Sequence, residues 1–395
     1  DPRGNATEYE YDAAGRVVMV TLPEGGDYRF RYNGNGDVIG FTNPVGAKMN
    51  FEWDMDRNVS SIAFHNNSRT SMIHNHAGLI EKKTRPDGIE LMFEYHDQMG
   101  KPTQVEYDMG GWNTLRLYYD DAAQIDEIAT TFGNYEFDRD GEGRITYVNR
   151  RTSIYYTFEA DLVYDCCGHI QSITDRKAGE TYHYDYDPAG RLTTFTDDVG
   201  NTVGLSYRYH QDQPKRIDYP GGVYSEFEYN VMKQMTSMIV KNKTGETLFS
   251  ADFEYDPAGN CTGIIRDGEE RSLTYDRNNR LVNVKTGGVD TETYTYDAAG
   301  NRLTGPSGEI YEYDEFGRLR RVGTRRYEYN VLGHVSDIIT SEGSIHLDYT
   351  GMDQVSEVSF SDGTAYQYYY DAYGRRCCRR KVSDEKYYID AVFLK

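Results

Sequence analysis

The residues best suited to bind a hard cation lie in one short stretch of the chain. Asp138 to Gly143 reads DRDGEG and partly matches the oxygen-rich loop with which proteins bind calcium. The twelfth place of such a loop needs a bidentate Glu, but here it holds Asn149. Because Phe137-Asp138 also fits the repeat described below, the sequence favours a turn at this place over a calcium site.

His74 and His76 are the only closely spaced pair among the nine His. Alternate positions on a strand would put both imidazoles on one face, where they could share a metal ion. No third ligand lies nearby in sequence, so a surface or turn role is favoured.

The five Cys do not form the pattern of a disulfide framework. Cys166-Cys167 and Cys377-Cys378 are adjacent pairs, Cys261 stands alone, and no C-x-x-C is present. We expect reduced Cys in strands and turns. We therefore predict no metal site and no cofactor.

No motif for nucleophilic catalysis is present. The sequence has no Gly-x-Ser-x-Gly elbow and no Gly-rich loop of the phosphate-binding kind. The 64 Asp and Glu could supply an acid or base anywhere, so their presence discriminates nothing. We predict that the chain is not an enzyme and assign no catalytic residue.

The Gly, Asp and Glu residues are better explained by the strands and turns in which they lie. Between 292 and 322 one pattern occurs twice: Tyr294-x-Tyr296-Asp297 with Gly300, and Tyr311-x-Tyr313-Asp314 with Gly317. Alternation puts both Tyr of a copy on one strand face, where the sequence predicts aromatic contacts between neighbouring copies. Asp then starts a turn, and Gly supplies the positive φ that completes it. Each copy therefore predicts a strand, a turn and a returning strand.

This pattern recurs along the whole chain at intervals of about 21 residues. We place the anchor aromatic of each copy at Tyr11, Tyr32, Trp53, Tyr95, Tyr119, Phe137, Tyr164, Tyr186, Tyr209, Tyr229, Tyr255, Tyr275, Tyr296, Tyr313, Tyr329, Tyr349 and Tyr370. The interval between Trp53 and Tyr95 is twice as long, and a degenerate copy from His74 to Gly78 lies at its midpoint.

Three further features support strands at these copies. The residue two places before each anchor is aromatic or Leu, and the residue between them is commonly acidic, as at Glu52, Glu228 and Glu254. Six places past the anchor an aliphatic residue commonly follows: Val17, Val38, Val59, Ile170, Leu192, Leu281, Leu319 and Val335. A second turn signal then appears, as in 23–26 and 86–88. We predict an all-β ribbon of hairpins that forms a single repeat array over residues 1–395.

Bulk composition agrees with this prediction. The chain has 37 Tyr and 39 Gly but only 10 Pro, which is a balance of strands and turns. A net charge of −21 argues against nucleic-acid binding, because affinity for phosphates rests on clustered Lys and Arg. No apolar run is long enough for a membrane span, and no signal peptide is recognisable.

Both ends of the sequence fit the interior of the repeat. Asp1 to Asn5 has the form of the repeat's own turn, and the final residues KYYIDAVFLK read as a strand. We expect a fragment of a longer protein.

The [Tyr/Phe]-x-Tyr-Asp-x-x-Gly-[Arg/Asn] copies, clearest at 184–191, 294–301 and 311–318, resemble the YD repeats of Rhs proteins, of the B and C components of Tc toxins and of teneurins. The resemblance implies a hairpin ribbon wound as a spiral, or curved sheet, that forms part of a hollow shell. In bacterial members that shell holds a toxic C-terminal region. The Asp-Pro-x-Gly-Leu-type segment where Rhs cores cleave themselves is missing here: Asp187-Pro188 and Asp256-Pro257 lie in ordinary repeat turns.

The function implied is containment of a C-terminal toxin or other cargo. The expected partners are that cargo and the remainder of the same shell, with manufacture in a bacterial cytoplasm and export by a dedicated secretion system. The alternative is a teneurin-like adhesion or carbohydrate-binding array, in which exposed aromatic rings would stack on sugars.

Overall fold

The structure is a computed structural model that describes residues 1–64, 66–96, 100–108, 112–130, 133–152, 157–208, 212–371, 373–383 and 387–389. Within these ranges the chain is all-β, and its one helical element is the 3₁₀ turn Pro220–Gly222. Among the described residues no helix has the length and apolarity to cross a membrane.

The first sheet has 27 strands. They are β1 (Glu8–Tyr11), β2 (Val17–Thr21), β3 (Asp27–Tyr32), β4 (Val38–Thr42), β5 (Lys48–Trp53), β6 (Val59–Phe64), β7 (Arg69–His74), β8 (Ile80–Thr84), β9 (Glu90–Tyr95), β10 (Pro102–Asp108), β11 (Trp112–Tyr119), β12 (Ile125–Thr130), β13 (Gly133–Arg139), β14 (Ile145–Thr152), β15 (Thr157–Tyr164), β16 (Ile170–Asp175), β17 (Glu180–Tyr186), β18 (Leu192–Thr196), β19 (Thr202–Tyr207), β20 (Pro214–Asp218), β21 (Tyr224–Tyr229), β22 (Met235–Lys241), β23 (Thr247–Tyr255), β24 (Cys261–Arg266), β25 (Glu269–Tyr275), β26 (Leu281–Thr286) and β27 (Val289–Thr293).

The second sheet has nine strands. They are β28 (Tyr311–Tyr313), β29 (Leu319–Val322), β30 (Arg325–Tyr329), β31 (Val335–Ile339), β32 (Ser344–Tyr349), β33 (Val355–Phe360), β34 (Ala365–Tyr370), β35 (Arg376–Lys381) and β36 (Tyr387–Ile389). The described pairings in both sheets are antiparallel and join strands consecutive in sequence, as in β17–β18 and β30–β31. Among the described residues β1 pairs only with β2 and β27 only with β26, so the sheet is open.

The hairpins that carry the anchors share one register. In β17–β18, Tyr184 pairs with Phe195, and a bulge before Tyr186 brings that anchor opposite Leu192. The same bulge precedes the anchors of the other hairpins, including the degenerate copy at His74. The aliphatic residue six places past the anchor therefore stands directly opposite it, which confirms the predicted returning strand.

The two strand faces differ as the alternation predicted. In β28, Tyr311 and Tyr313 are half-buried, whereas Glu312 between them is exposed. Fully buried apolar residues occur along the chain from Leu91 to Cys378 rather than in one segment. The core is therefore assembled repeat by repeat, as in other repeat proteins.

One predicted anchor was placed two residues too far along the chain. The bulge at β19–β20 precedes Tyr207, which stands opposite Pro214, so Tyr207 is the anchor of this copy. Tyr209, the predicted anchor, lies outside the described residues. Both Tyr fit the repeat pattern because they are two places apart, and the sequence alone could not separate them.

The chain divides into two compact units. The first comprises 1–6, 138–149 and 158–294, and the second comprises 7–137, 150–157 and 295–395. The boundaries at 137/138 and 149/150 fall inside β13 and β14 rather than in linkers. The single array over residues 1–395 stays a prediction.

The predicted turn glycines adopt the left-handed region. Gly190, Gly259, Gly300, Gly317 and Gly374 have φ between +75° and +93°, and Asn279 fills the same place with φ +63°. Asn tolerates this region better than most residues do, which explains its presence there.

The turn at 33–37 allows this requirement to be tested with a matched pair of substitutions. Gly36 has φ +89° with only an ordinary contact near an added Cβ, whereas Gly34 has no positive φ and open space around it. We expect Gly36→Ala to lower the free energy of unfolding by about 1–2 kcal/mol and Gly34→Ala to leave it the same or slightly higher. The measurement is the urea midpoint of each variant; equal midpoints would contradict the turn geometry.

Candidate functional site

The candidate functional element recurs along the chain and consists of a hairpin turn and the anchor ring beside it. In the turn after β17, Asp187 N–H donates to the carbonyl of Arg191 and Gly190 N–H donates to the carbonyl of Asp187, both at 2.9 Å. Asp187 Oδ1 accepts the N–H groups of Ala189 and Arg191, and Oδ2 accepts Arg191 Nε at 2.7 Å. One carboxylate thus closes the turn and holds the basic side chain that follows it.

The same hydrogen-bonding pattern occurs in turns of both units. An Arg four places on donates Nε to Oδ2 of Asp12, Asp140, Asp276, Asp314 and Asp371. Asn replaces Arg after Asp197, Asp256 and Asp297, and His169 replaces it after Asp165. The charge-assisted bond from Arg191 is the main reason that the pKa of Asp187 lies below its usual value of 3.8.

The basic side chain of each turn also covers the anchor ring of the next hairpin. The Arg191 guanidinium lies 4.6 Å from the ring centroid of Tyr207, and the same contact joins Arg16 to Tyr32, Arg144 to Tyr164 and Arg318 to Tyr329. His169 and His334 cover Tyr186 and Tyr349 with their imidazoles at 4.7 and 4.6 Å. A cation or an imidazole therefore covers these anchor rings, and Tyr311 likewise lies under Arg302 at 4.4 Å. The predicted contacts between the rings of neighbouring copies at Tyr294 to Tyr313 stay a prediction.

In most repeats a donor on the anchor ring ties its own hairpin to the preceding one. Tyr186 Oη donates to the carbonyl of Ile170 at 3.0 Å, and Ile170 begins the returning strand of the previous hairpin. Equivalent bonds of 2.7–3.2 Å are donated by Tyr32, Trp53, Tyr95, Tyr119, Tyr164, Tyr207, Tyr229, Tyr255, Tyr275, Tyr313, Tyr329, Tyr349 and Tyr370. We call this series the anchor ladder.

Turns that are distant in sequence meet within the second unit. A Cβ at Gly26 would lie 2.5 Å from the carbonyl oxygen of Ala298, so only glycine permits this approach. Arg85, whose side chain is 6% exposed, donates to the carbonyl of Gly351 and lies 2.9 Å from the carboxylate of Asp353. We call these contacts the seam.

The same number of repeats lies between the seam contacts on both of its sides. Turns closed at 22–26, 43–47, 64–68 and 85–89 follow one another on one edge, and turns closed at 297–301, 314–318, 330–334 and 350–354 on the other. Three repeats thus separate the Gly26 and Arg85 contacts on both edges. The turns start 21 residues apart on the first side and 16 to 20 residues apart on the second, so the two sides match in the number of repeats rather than in their length.

A buried polar cluster joins β13 to the last turns of the second unit. Tyr135 Oη donates to Asp371 Oδ2 at 2.7 Å, and Arg375 donates to both Tyr135 Oη and Asp371. The Arg150 Nε lies 4.0 Å from Asp371 Oδ2, with these side chains 1% and 2% exposed. Burial, together with the bond to Asp371, raises the pKa of Tyr135 well above its usual value. The guanidinium groups of Arg150 and Arg375 therefore both face the buried carboxylate of Asp371.

A related contact occurs within the first unit. Arg3 Nη2 donates to the carbonyl of Asp276 at 2.7 Å and to Asn279 Oδ1, and its Nε lies 3.6 Å from Asp256. The turn at 1–5 is thus bound to turns more than half the chain away in sequence.

The residues weighed for calcium are used by a turn. Asp138 belongs to β13, and Arg144 pairs with both Asp140 and Glu142. His74 lies 3.5 Å from Asp54 with 8% of its side chain exposed. His76 is exposed in the next turn.

The side chains that connect one repeat to another were not predicted from the sequence. Arg191 and its equivalents were visible as the basic residue after each turn glycine, and that recurrence was a signal to which no role was assigned. Arg85, Tyr135 and Arg150 carry no such signal, because their partners lie hundreds of residues away.

The buried cluster gives a second testable prediction. Asp371→Asn removes the carboxylate that faces Arg150 and Arg375, and the buried charge left on Arg150 without its partner costs about 3 kcal/mol or more of stability. Asp187→Asn, the same change in a turn with the same wiring, should cost much less, because Asn33 and Asn330 begin turns of this kind naturally. Urea denaturation compares the two variants; equal losses would contradict the assigned role of the cluster.

The turn carboxylates give a third prediction, for acid pH. Because the folded pKa of Asp187 is lowered, its contribution is complete above pH 3.8 and is lost as pH falls through the folded pKa. Arg191→Ala should raise that pKa towards 3.8, and Arg208→Ala, whose side chain pairs with Glu228, should not. A ¹³C titration of the labelled carboxyl measures both; an unchanged value in Arg191→Ala would refute the assigned cause.

Comparison with known proteins places this architecture in a family. The teneurin YD-shell model matches residues 2–137 and 205–389, and the RHS repeat model matches residues 168–203. Among curated proteins the chain is similar to "Toxin protein Tse5" of Pseudomonas aeruginosa, at 28% identity over 33% of this chain and 13% of that protein.

Solved structures agree on the fold. The crystal structure of TcdB2-TccC3 without its hypervariable C-terminal region matches with a TM-score of 0.81 and 16% identity, over 96% of this chain and 23% of that one. The Photorhabdus luminescens Tc holotoxin pore matches with a TM-score of 0.69 and 15% identity, over 95% of this chain and 25% of that one. The chain thus spans a quarter or less of the length of these relatives. With most of its residues matched by one family model and its hairpins wired alike throughout, the chain belongs to the teneurin YD-shell family.

Proposed function

We propose that this chain is one segment of the wall of a larger shell that contains a cargo region of the same polypeptide, and that it carries no reaction of its own. The observation that carries the proposal is the anchor ladder, in which nearly every repeat is tied to its predecessor by a ring donor. A wall needs this continuity along its whole length, whereas an enzyme needs it only around a pocket.

The use of the polar side chains supports a structural role. The turn Asp and Arg residues bind each other, and the same guanidinium group also covers an anchor ring, as that of Arg191 does. An open surface cavity of about 990 Å³ extends from Glu94 to Arg116, but there Arg116 Nε donates to Gln104 at 2.8 Å.

The size of the ribbon supports the remainder of the shell as the main partner. Sheets of 27 and nine strands, at about 4.8 Å per strand and about 23 Å per strand length, cover roughly 4,000 Å². A toxin of about 130 residues needs a wall of roughly 10,000 Å² around it. This chain supplies less than half of that area, and its share of the relatives' length agrees.

The nature of the cargo and the route by which the protein is exported are also parts of the proposal. The similarity to a protein named as a toxin supports a toxic C-terminal cargo. Synthesis in a bacterial cytoplasm and export by a dedicated secretion system complete the proposal.

The wall role is tested in the full-length gene product that carries this chain. We expect the cargo region to resist added protease inside the intact product and to be degraded at least tenfold faster when expressed alone. Arg85→Ala, which opens the seam, should increase cleavage of the cargo several-fold. The control Arg321→Ala removes an exposed ion pair with Glu312 and should not.

Degradation of the cargo at equal rates inside and outside the product would contradict containment.

A glycan array separates the adhesion alternative. Because the anchor rings are half-buried under Arg and His side chains, we expect no glycan to depend on them. Binding that is lost in Tyr207→Ala would favour the alternative.

A further inference from the structure

One turn carries a set of metal-binding side chains of which the hairpin uses only a part. Between β15 and β16, residues 165–169 read Asp-Cys-Cys-Gly-His. One donor atom each from Asp165, Cys167 and His169 lies within 4.8 Å of the others. The Sγ of Cys166 lies 3.9 Å from that of Cys167, and both thiols are exposed.

The turn itself explains only part of this set. Asp165 accepts the N–H groups of Cys167 and His169, and Gly168 has φ +87°, as the hairpin requires. The two places between Asp and Gly contribute only backbone, and the turn after Asp187 fills them with Pro and Ala. Neither thiol is therefore needed for the hairpin.

The geometry suits a small tetrahedral ion. His169 Nδ1 lies 3.0 Å from Asp165 Oδ2, and the two sulfur atoms are 3.9 Å apart. Bonds of about 2.0–2.3 Å to Zn²⁺ place tetrahedral ligands about 3.3–3.7 Å apart, between these two values. The ion would take the place of the proton that Nδ1 and Oδ2 share.

The neighbouring repeat holds the imidazole in place. The ring of His169 stacks on Tyr186 at 4.7 Å with an interplanar angle of 24°, and an added Cβ at Gly190 would lie 2.9 Å from Nε2. Nδ1 is thereby directed towards Asp165 rather than away from the thiols. Preorganised ligands of this kind lose little freedom when an ion binds.

We propose that Asp165, Cys167 and His169 form a surface site for a thiophilic cation with a filled d shell, for which Zn²⁺ is the probe, and that the exposed Cys166 thiol joins the same ion by rotation of its side chain. Two sulfur ligands, an imidazole and a carboxylate suit Zn²⁺, whereas calcium and magnesium prefer oxygen alone. The site is independent of the wall role and adds an ion-dependent stabilisation of one hairpin.

The test uses the reduced 395-residue chain. Isothermal titration with Zn²⁺ should show one site per chain, and Co²⁺ should give the near-ultraviolet absorption of thiolate ligation. The double change Cys166→Ser with Cys167→Ser should weaken Zn²⁺ binding at least tenfold. His169→Arg should do the same while restoring the Asp–Arg bond of the other turns, so that the hairpin is kept.

Two matched controls separate this site from adventitious binding. Cys261→Ser removes a thiol elsewhere, and His334→Arg removes a His in the same turn position, stacked on Tyr349 but without neighbouring Cys. Both should bind Zn²⁺ as the unaltered chain does. The proposal is overturned by absence of binding, by binding that survives the double Cys change, or by Co²⁺ spectra without thiolate absorption.

Discussion

The hydrogen bond from an anchor ring to a carbonyl of the preceding hairpin is the interaction on which the rest of the structure depends. An antiparallel hairpin on its own is marginally stable, and backbone pairing alone does not fix how far each hairpin lies along its neighbour. A donor at the far end of a rigid ring, as in Tyr186 to Ile170, fixes that position. The Asp of the turn then holds the cation that covers the next ring, so hydrogen bonding and ring contact enforce the same register.

Local features were predictable from sequence because local physics determines them. Positive φ at Gly300 and Gly317 follows from turn chemistry, and the exposure of Glu312 follows from strand alternation. The position of Leu192 opposite Tyr186 follows from the constant spacing, once a bulge is allowed. Where the signal was two-fold ambiguous, as at Tyr207 and Tyr209, the choice depended on the ladder and the sequence could not make it.

Contacts between distant repeats were not predictable for a different reason. Arg85 and Gly351 are 266 residues apart, and Tyr135 and Asp371 are 236 apart. No local pattern marks such pairs, since each half is an ordinary turn or strand residue. Their burial is nevertheless what gives the second unit its fixed arrangement, because a charged side chain with 1% exposure tolerates few alternatives. The candidate cation site was missed similarly: its cysteines were judged as possible disulfides, and only the folded turn places the thiol of Cys167 beside His169.

The central claim is that a uniformly wired ribbon acts as the wall of a closed compartment without chemistry of its own. A cryo-electron microscopy reconstruction of the full-length gene product tests it most directly. The account predicts that these residues form a continuous stretch of hairpins, with the anchor ladder intact, bordering an enclosed space that contains density for the cargo region. Cargo density outside the hairpin wall, or a ribbon that encloses nothing in the complete product, would contradict it.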